Sequence, residues 1–270
     1  MIRKTLLYLL LIILAFIFIS PFLWLASAGL KPNTQDVFSF PPSFIPDPPT
    51  FDNFIDAWTS IPFPKYLFNS VMLLLLMIPA HLLITALTAY PLARITFPGR
   101  LFFFGAMIGT MFLPEEGKLV PLYILLQKMG MVDSWSGLIF PGLVGGFAIL
   151  LMRQAYLNIP NELEEAAEMD GCSTFRIWWS IMVPLVRPTI ATLSVFSFIS
   201  VWNSFMWPLI ILKNDDLYPL SLGLAYLLGT FGNDIRIMAA GTLISLVPVI
   251  VFYLSMQRQF VGGLQGAVKG

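Results

Sequence analysis

The densest cluster of residues in this chain that could do chemistry lies in one short stretch. "NELEEAAEMDGCS" carries Glu162, Glu164, Glu165, Glu168 and Asp170, a third of the protein's 15 acids, in a sequence that is 57% hydrophobic and 11% charged. Such a run is either a solvated face or a docking surface for a basic or hydrogen-bonding partner. Catalysis has little to work with. One histidine, His81, and one cysteine, Cys172, supply neither a nucleophile–base pair nor a set with metal-ligand spacing. No G-x-x-x-x-G-K-[ST] stretch exists to cradle a nucleotide's phosphates. No catalytic residue, metal or cofactor is therefore assigned. Trp202, Asn203 and Trp207 have the ring faces and the amide to stack on and hydrogen-bond a sugar ring. Glu115 is a second candidate for lining a solute's route.

The elements that must carry these residues are apolar runs of bilayer-crossing length, about 20 residues. Thr5–Ala28, Leu67–Ala93, Trp135–Met152, Thr189–Leu212 and Ile237–Met256 all qualify, and Leu101–Leu113 is a shorter sixth. The fold class expected is all-α, a single six-span domain over residues 1–270, because lipid admits only helices and closed barrels and these runs are too long for barrel strands. The N-terminal run exceeds a signal peptide's apolar region and lacks a clear cleavage site, so it reads as a retained first helix. A lone cysteine excludes an internal disulfide. With the N-terminus placed inside, nine cations fall inside (Arg3, Lys4, Arg94, Arg100, Arg153, Arg176, Arg187, Arg258, Lys269) and six outside (Lys31, Lys65, Lys118, Lys128, Lys213, Arg236). That bias favours both termini in the cytoplasm and puts the acidic run in a cytoplasmic loop, residues 153–187. Trp202 and Trp207 near a span end also suit interfacial anchoring, and mid-span His81 suits polar contact between helices.

Residues 29–66 form the largest outer segment, Pro-rich with a short helix expected near Phe51–Trp58. "LFFFGAMIGTMFL" rises only about 20 Å as a helix. With "PEEGK" after it, the third span is expected to be broken at Pro114–Lys118, Glu115 and Glu116 facing a wet interior; an ordinary surface loop is the other reading. Span four is rich in Gly137, Gly142, Gly145, Gly146 and Ala148, which lets helices approach closely.

In the acidic run, Pro160 favours a helix start and Asn161 is placed to cap it. A helix Asn161–Asp170 then carries Leu163, Ala166 and Ala167 on one narrow face, with acids over the rest. Gly171 breaks it, with a positive φ if a left-handed turn follows. Ser173 caps a second helix whose stripe is Phe175, Trp178, Trp179 and Met182. Pro184 ends that helix, and Pro188 opens the fifth span.

"EEAAEMDGCSTFRIWWSIMVPLVRP" resembles the cytoplasmic motif of permease subunits in binding-protein-dependent ABC importers: E-A-A, three residues, G, nine residues, I-x-L-P. It falls on Glu165-Ala166-Ala167, Gly171, Ile181 and Pro184, with Val183 where Leu is usual. "AYPLARITFPGR", "VPLYILLQKMGMVDSWSGLIFP", "VWNSFMWPLIIL" and the terminal "GLQGAVKG" are similar to the carbohydrate-uptake, maltose-type branch, and to the shorter six-span permease of its pair. The resemblance implies a type I importer permease fold and a coupling helix that docks on an ATPase through Glu165, Ala166, Ala167, Asp170, Gly171, Ile181 and Pro184. It implies a second permease subunit, two cytoplasmic ATPases that bind the ATP, an external sugar-binding protein, and a C-terminal tail reaching toward the ATPases; nucleic acid is not a partner. The competing class is an ion-coupled secondary transporter, which would carry coupling carboxylates or an inverted repeat.

Overall fold

The computed structural model describes residues 2–231 and 234–267, and among them every regular element is helical. In chain order these are α1 (Ile2–Leu30), α2 (Asp52–Thr59), α3 (Phe63–Arg94), α4 (Arg100–Gly109), α5 (Glu115–Lys128), α6 (Trp135–Ile139), α7 (Gly146–Leu157), α8 (Glu162–Met169), α9 (Thr174–Ile177), α10 (Val183–Leu185), α11 (Arg187–Trp202), α12 (Met206–Ile211), α13 (Leu220–Phe231) and α14 (Ile235–Ala267). Short 3-10 turns extend α4 to Phe112 and α6 to Gly142, and a π turn, Trp178–Met182, joins α9 to α10. The expected outer helix is present as α2, one residue later than the sequence placed it.

Among the described residues three helices are long and apolar enough to cross a bilayer: Lys4–Leu30, Phe63–Arg94 and Ile235–Met256. Two bent pairs qualify if each is one span, Trp135–Gly142 with Gly146–Leu157 at 46° and Thr174–Leu185 with Arg187–Trp202 at 74°. Arg100–Phe112 is shorter. The fourth span, and the helical stretch leading into the fifth, are thus both bent. Span four yields at residues 143–145, among Pro141, Gly142, Gly145 and Gly146, which give a helix little support. The run Thr189–Leu212 divides into α11 and α12 across residues 203–205. Pro184 does not end its helix. It lies within the continuous helical stretch Thr174–Leu185, directly after the π turn, and the break falls at Val186 (φ −92, ψ 11), with Pro188 in the first turn of α11.

The chain divides into two compact units, Met1–Leu67 with Leu220–Ile250 and Phe68–Pro219 with Val251–Gly270. In the first, the C-terminus of α1 is closed by buried Asn53, whose amide donates to the Gly29 and Lys31 carbonyls at 2.9 and 2.8 Å. The Pro-rich segment folds onto the start of α14, where Arg236 donates to the Pro32 and Gln35 carbonyls at 3.1 and 3.4 Å. The same guanidinium hydrogen-bonds Asp234 at 3.0 Å and holds its carboxyl below the usual range.

The second unit packs Ala89 of α3, Ile149 and Met152 of α7, Met182 of the π turn and Leu193 of α11 into one core. Gly146 sets how close α4 and α7 come: a Cβ there would stand 2.5 Å from the Met107 carbonyl oxygen. In the same unit Asp133, at φ +59, ties the α5–α6 loop to the chain after α12: its carboxylate accepts from the Lys213 and Asn214 N–H groups at 2.9 Å each. Those two bonds hold its pKa below the ordinary carboxylate value. A depressed folded pKa means the tie is fully present above the unfolded carboxylate range and is lost as pH falls through the lower folded value. Thermal melts of the wild type and Asp133→Asn, which also tolerates the positive φ, should therefore differ at pH 7 and converge on acidification. A gap unchanged down to pH 3 would show that the charge contributes nothing.

Candidate functional site

The acidic run folds as expected into a helix, a glycine turn and a second helix. α8 begins after Pro160 and gathers Glu162, Glu164 and Glu165 in its first turn, where the helix dipole favours negative charge. It stops at a Schellman motif. The Gly171 N–H donates to the Glu168 carbonyl at 2.9 Å, the Cys172 N–H donates to the Ala167 carbonyl at 3.0 Å, and Gly171 takes φ +76. Ser173 then caps α9, accepting from the Arg176 N–H at 3.4 Å.

Three local expectations are corrected. Asn161 is αR and makes no side-chain cap; its amide oxygen is taken by the Arg94 guanidinium instead. The small face is split, because Leu163 and Ala166 are exposed while Ala167 turns into the chain's own core. The aromatic stripe is divided too. Trp178 and Met182 are buried, with Ile177 beside them, whereas Phe175 is 67% and Trp179 56% exposed. The π turn advances five residues per hydrogen bond and so shifts the phase that 3.6-residue spacing assumed. Glu165, Ala166, Asp170 and Gly171 lie at the surface; Ile181 and Pro184 are half-buried, Ile181 against the core.

What fixes this loop was not visible as a motif. Arg94, in the last turn of α3, donates to the Tyr156 carbonyl at 2.6 Å and to the Ile159 carbonyl, closing the C-terminus of α7. Its Nε stands 3.3 Å from Glu164 Oε2, an ion pair whose N–H lies off the line of a hydrogen bond. Tyr90, one turn earlier, donates to Glu164 Oε1 at 3.0 Å. α7 returns the arrangement, with Arg153 donating to the Leu92 carbonyl at 2.9 Å and lying 4.3 Å over the Phe104 ring, while Arg100 donates to the Ala93 carbonyl at 3.2 Å. Trp178 completes the set by donating to the Tyr156 hydroxyl at 3.2 Å, and the Tyr156 ring meets Tyr90 edge-on at 5.6 Å. Each helix end thereby has its open carbonyls satisfied by a cation from the other.

Further along α3 the same unit forms an open hollow of about 530 Å³, beside a second of about 480 Å³ with which it shares Met77, Glu115, Gly145 and Ser200 as lining. Glu115 and Trp207 both line the larger part, and His81 lines the smaller. The break expected over Pro114–Lys118 is narrower: only Leu113 and Pro114 leave helical structure, and α5 already begins at Glu115; Glu115 lines the hollow, whereas Glu116 is exposed and is not part of that lining. Lys118, on the same turn of α5 as Glu115, donates to the Thr110 carbonyl at 3.0 Å. His81 donates from Nδ1 to the Leu143 carbonyl at 3.1 Å, satisfying a group that the break in span four releases. Trp207 donates to the Gly137 carbonyl at 3.1 Å, leaving its ring to the cavity. Trp202 and Asn203 are not brought there: Trp202 stacks on Phe198 at 5.7 Å, and the Asn203 amide bonds back to the Ile199 carbonyl at 3.0 Å. The tail reading falls on side chains from 257 onward and on residues 268–270, which lie outside the described residues.

An all-helical membrane subunit with a polar loop pinned to its core and a mixed-polarity hollow between its helices is the architecture of a transport component. Residues 49–260 match the family of binding-protein-dependent transport system inner membrane components, and the chain belongs to that family. It is similar to the arabinooligosaccharides transport system permease protein AraQ of Halalkalibacterium halodurans, 35% identical over 95% of this chain and 93% of that one. It is similar also to the sn-glycerol-3-phosphate transport system permease protein UgpE of Yersinia enterocolitica, 31% identical over 92% and 91%. A crystal structure of a bacterial ABC transporter that imports the acidic polysaccharide alginate shares the fold, with a TM-score of 0.82 at 24% identity, covering 96% of each chain. The chain is a membrane-spanning permease subunit of the type I importer fold.

Proposed function

We propose that this chain is one of two permease subunits of an ATP-driven importer for oligosaccharides or similar polyols, with six spans and both termini in the cytoplasm. In this reading α8 and its glycine turn dock on a cytoplasmic ATPase through Glu165, Ala166, Asp170 and Gly171. The exposed Met169 and Phe175 supply apolar contact beside the acids. Ala167, Ile181 and Pro184 act from behind by fixing the loop on its own core. An external binding protein delivers the solute, and the hollow lined by Glu115 and Trp207 is this subunit's share of its path.

The single observation that carries the reading is α8 itself. It is a short acidic helix with 84% of Met169 exposed, stopped by a left-handed glycine and held to the bundle from one side only. A free surface helix has no need of such anchoring. The substrate class is supported by relatives named for arabinooligosaccharides and glycerol 3-phosphate and by a structural neighbour that imports alginate. Affinity purification of the tagged chain from its own membranes should bring down two further kinds of subunit, a second permease and an ATPase. The solute retained by the partner binding protein should then enter vesicles only with ATP inside. Purification without an ATPase, or uptake driven by an ion gradient alone, would overturn the reading.

A further inference from the structure

We propose that Arg94 and Tyr90 are positioning residues: they clamp Glu164 to the end of α3, so that displacement of α8 is carried into α3 and along it to the cavity wall at Met77 and His81. The proposal rests on the docking role given to α8 above and adds a route for the motion. Residues Glu165 to Gly171 would receive the push; Glu164 passes it on.

By its backbone alone α8 is a poor lever. It is eight residues long and joins its neighbours through Pro160 on one side and the Gly171 turn on the other. Either joint can absorb a push. The clamp removes that freedom. The Glu164 carboxylate is held on one oxygen by the Tyr90 hydroxyl at 3.0 Å and on the other by Arg94 Nε at 3.3 Å. The Arg94 side chain is 8% exposed and that of Glu164 14% exposed, so water does little to screen or replace the pair. Arg94 also grips the residues just before α8, through the Tyr156 and Ile159 carbonyls and the Asn161 amide oxygen. One guanidinium therefore spans the joint at Pro160 and makes α8, the end of α7 and the end of α3 a single rigid piece.

α3 is the element that can use this. It is helical throughout from Phe63 to Arg94, with Pro91 beside Tyr90 and Pro79 between Met77 and His81. Its Met77 and His81 face the hollow, and His81 holds the Leu143 carbonyl at the break in span four. From Tyr90 to His81 is nine residues, about 14 Å of helix. A shift at the clamp reaches the cavity wall through a helix that stays continuous, although Pro91 and Pro79 each remove one ladder hydrogen bond on the way.

The test reads the far end of this route. The chain, carrying Cys172→Ser and Met77→Cys and purified with its second permease and ATPases, is reconstituted in liposomes. Reaction of the thiol at position 77 with a membrane-impermeant maleimide is timed with and without ATP plus vanadate. With the clamp intact, ATP should change the labelling rate at least about fivefold. Glu164→Ala or Arg94→Lys should reduce that change to less than about twofold while the ATPases still co-purify. Glu164→Gln, which keeps an acceptor for Tyr90 and is conservative enough to fold where the others fail, should fall between. A purely structural role would lower the yield of complex and leave the ATP response of what remains. An unchanged ATP response in Glu164→Ala or Glu164→Gln overturns the clamp alone. So does the lack of any ATP response at position 77 in the intact-clamp complex. Failure of that intact-clamp protein to hold ATPases at all takes down the docking reading, and the clamp with it.

Discussion

Gly146→Ala should destabilise the isolated permease by about 1–3 kcal/mol, the cost of forcing an extra methylene-sized group into a packed contact, and Gly146→Val by more. The reason is local and backbone-bound. A Cβ at this position would lie 2.5 Å from the Met107 carbonyl oxygen, 2.9 Å from Met111 Cγ and 3.1 Å from Thr110 Oγ1. The carbonyl cannot swing aside, because it already accepts from the Thr110 hydroxyl at 2.7 Å and belongs to the ladder of α4. Either α4 moves off α7 or the first turn of α7 unwinds. In lipid, close approach is itself the force that joins helices, so separating them forfeits dispersion contact with no hydrophobic gain to offset it. At about 1.4 kcal/mol per tenfold in an equilibrium, the folded fraction surviving a mild detergent challenge should fall by an order of magnitude. Gly105, on the same helix α4, has nothing within 4 Å of an added Cβ. Gly105→Ala should melt at the wild-type temperature or slightly above, since alanine is the better helix former. Melting of detergent-purified protein, followed by loss of the monodisperse chromatographic peak, separates the two. Equal melting of Gly146→Ala and wild type would mean that α4 and α7 do not touch as described.

The same contact shows what could be read from the residues alone. The glycines of span four announce close packing, yet their number hides the break at residues 143–145: a Gly-rich apolar run satisfies a straight helix and a bent one equally well until a partner for the freed carbonyl is known. That partner is His81, 62 residues earlier, read from the sequence only as polar contact between helices. The helix–glycine–helix of the acidic run was legible because its spacing is local, and so were the short helix in the outer segment, the Ser173 cap and the positive φ at Gly171. Arg94 was legible only as a cation in a count. A basic residue in the last turn of an apolar helix suits the dipole and draws no notice; that its guanidinium reaches Tyr156, Asn161 and Glu164 is a fact of tertiary packing. The same blindness inverted Ala167. Helical periodicity put it beside Leu163 and Ala166, and only the packing of α8 on α3 and α7 decides which edge of a narrow face is inside. Trp202 and Trp207 are alike as residues and five apart in sequence, and the kink at 203–205 sends only the second to the hollow.

Gly171→Val should cut transport about tenfold or more while leaving the amount of chain in the membrane unchanged. Gly171 sits at φ +76 with no atom within 4 Å of where a Cβ would be. Crowding inside this chain is therefore irrelevant, and the whole intramolecular effect is backbone strain. A left-handed residue with a Cβ costs roughly 1–2 kcal/mol, more when β-branched and least for Asn or Asp. That cost weakens the Schellman turn by roughly tenfold in its equilibrium, and with it the two hydrogen bonds from Gly171 and Cys172 that fix the angle between α8 and α9. Membrane insertion depends on the apolar spans, which the change leaves alone. Gly171→Asn, tolerated in the left-handed region, should retain most transport. Gly171→Asp has a similar backbone cost, so any further loss relative to Asn measures charge rather than strain. If α8 docks on an ATPase, the added carboxylate stands at the contact, and ATP hydrolysis should continue while transport stops. Transport is read as uptake of the solute held by the binding protein, beside ATP hydrolysis in the same membranes. Wild-type uptake in Gly171→Val would show that the turn's geometry does not matter to coupling. Equal behaviour of Asn and Asp would place the contact away from this residue.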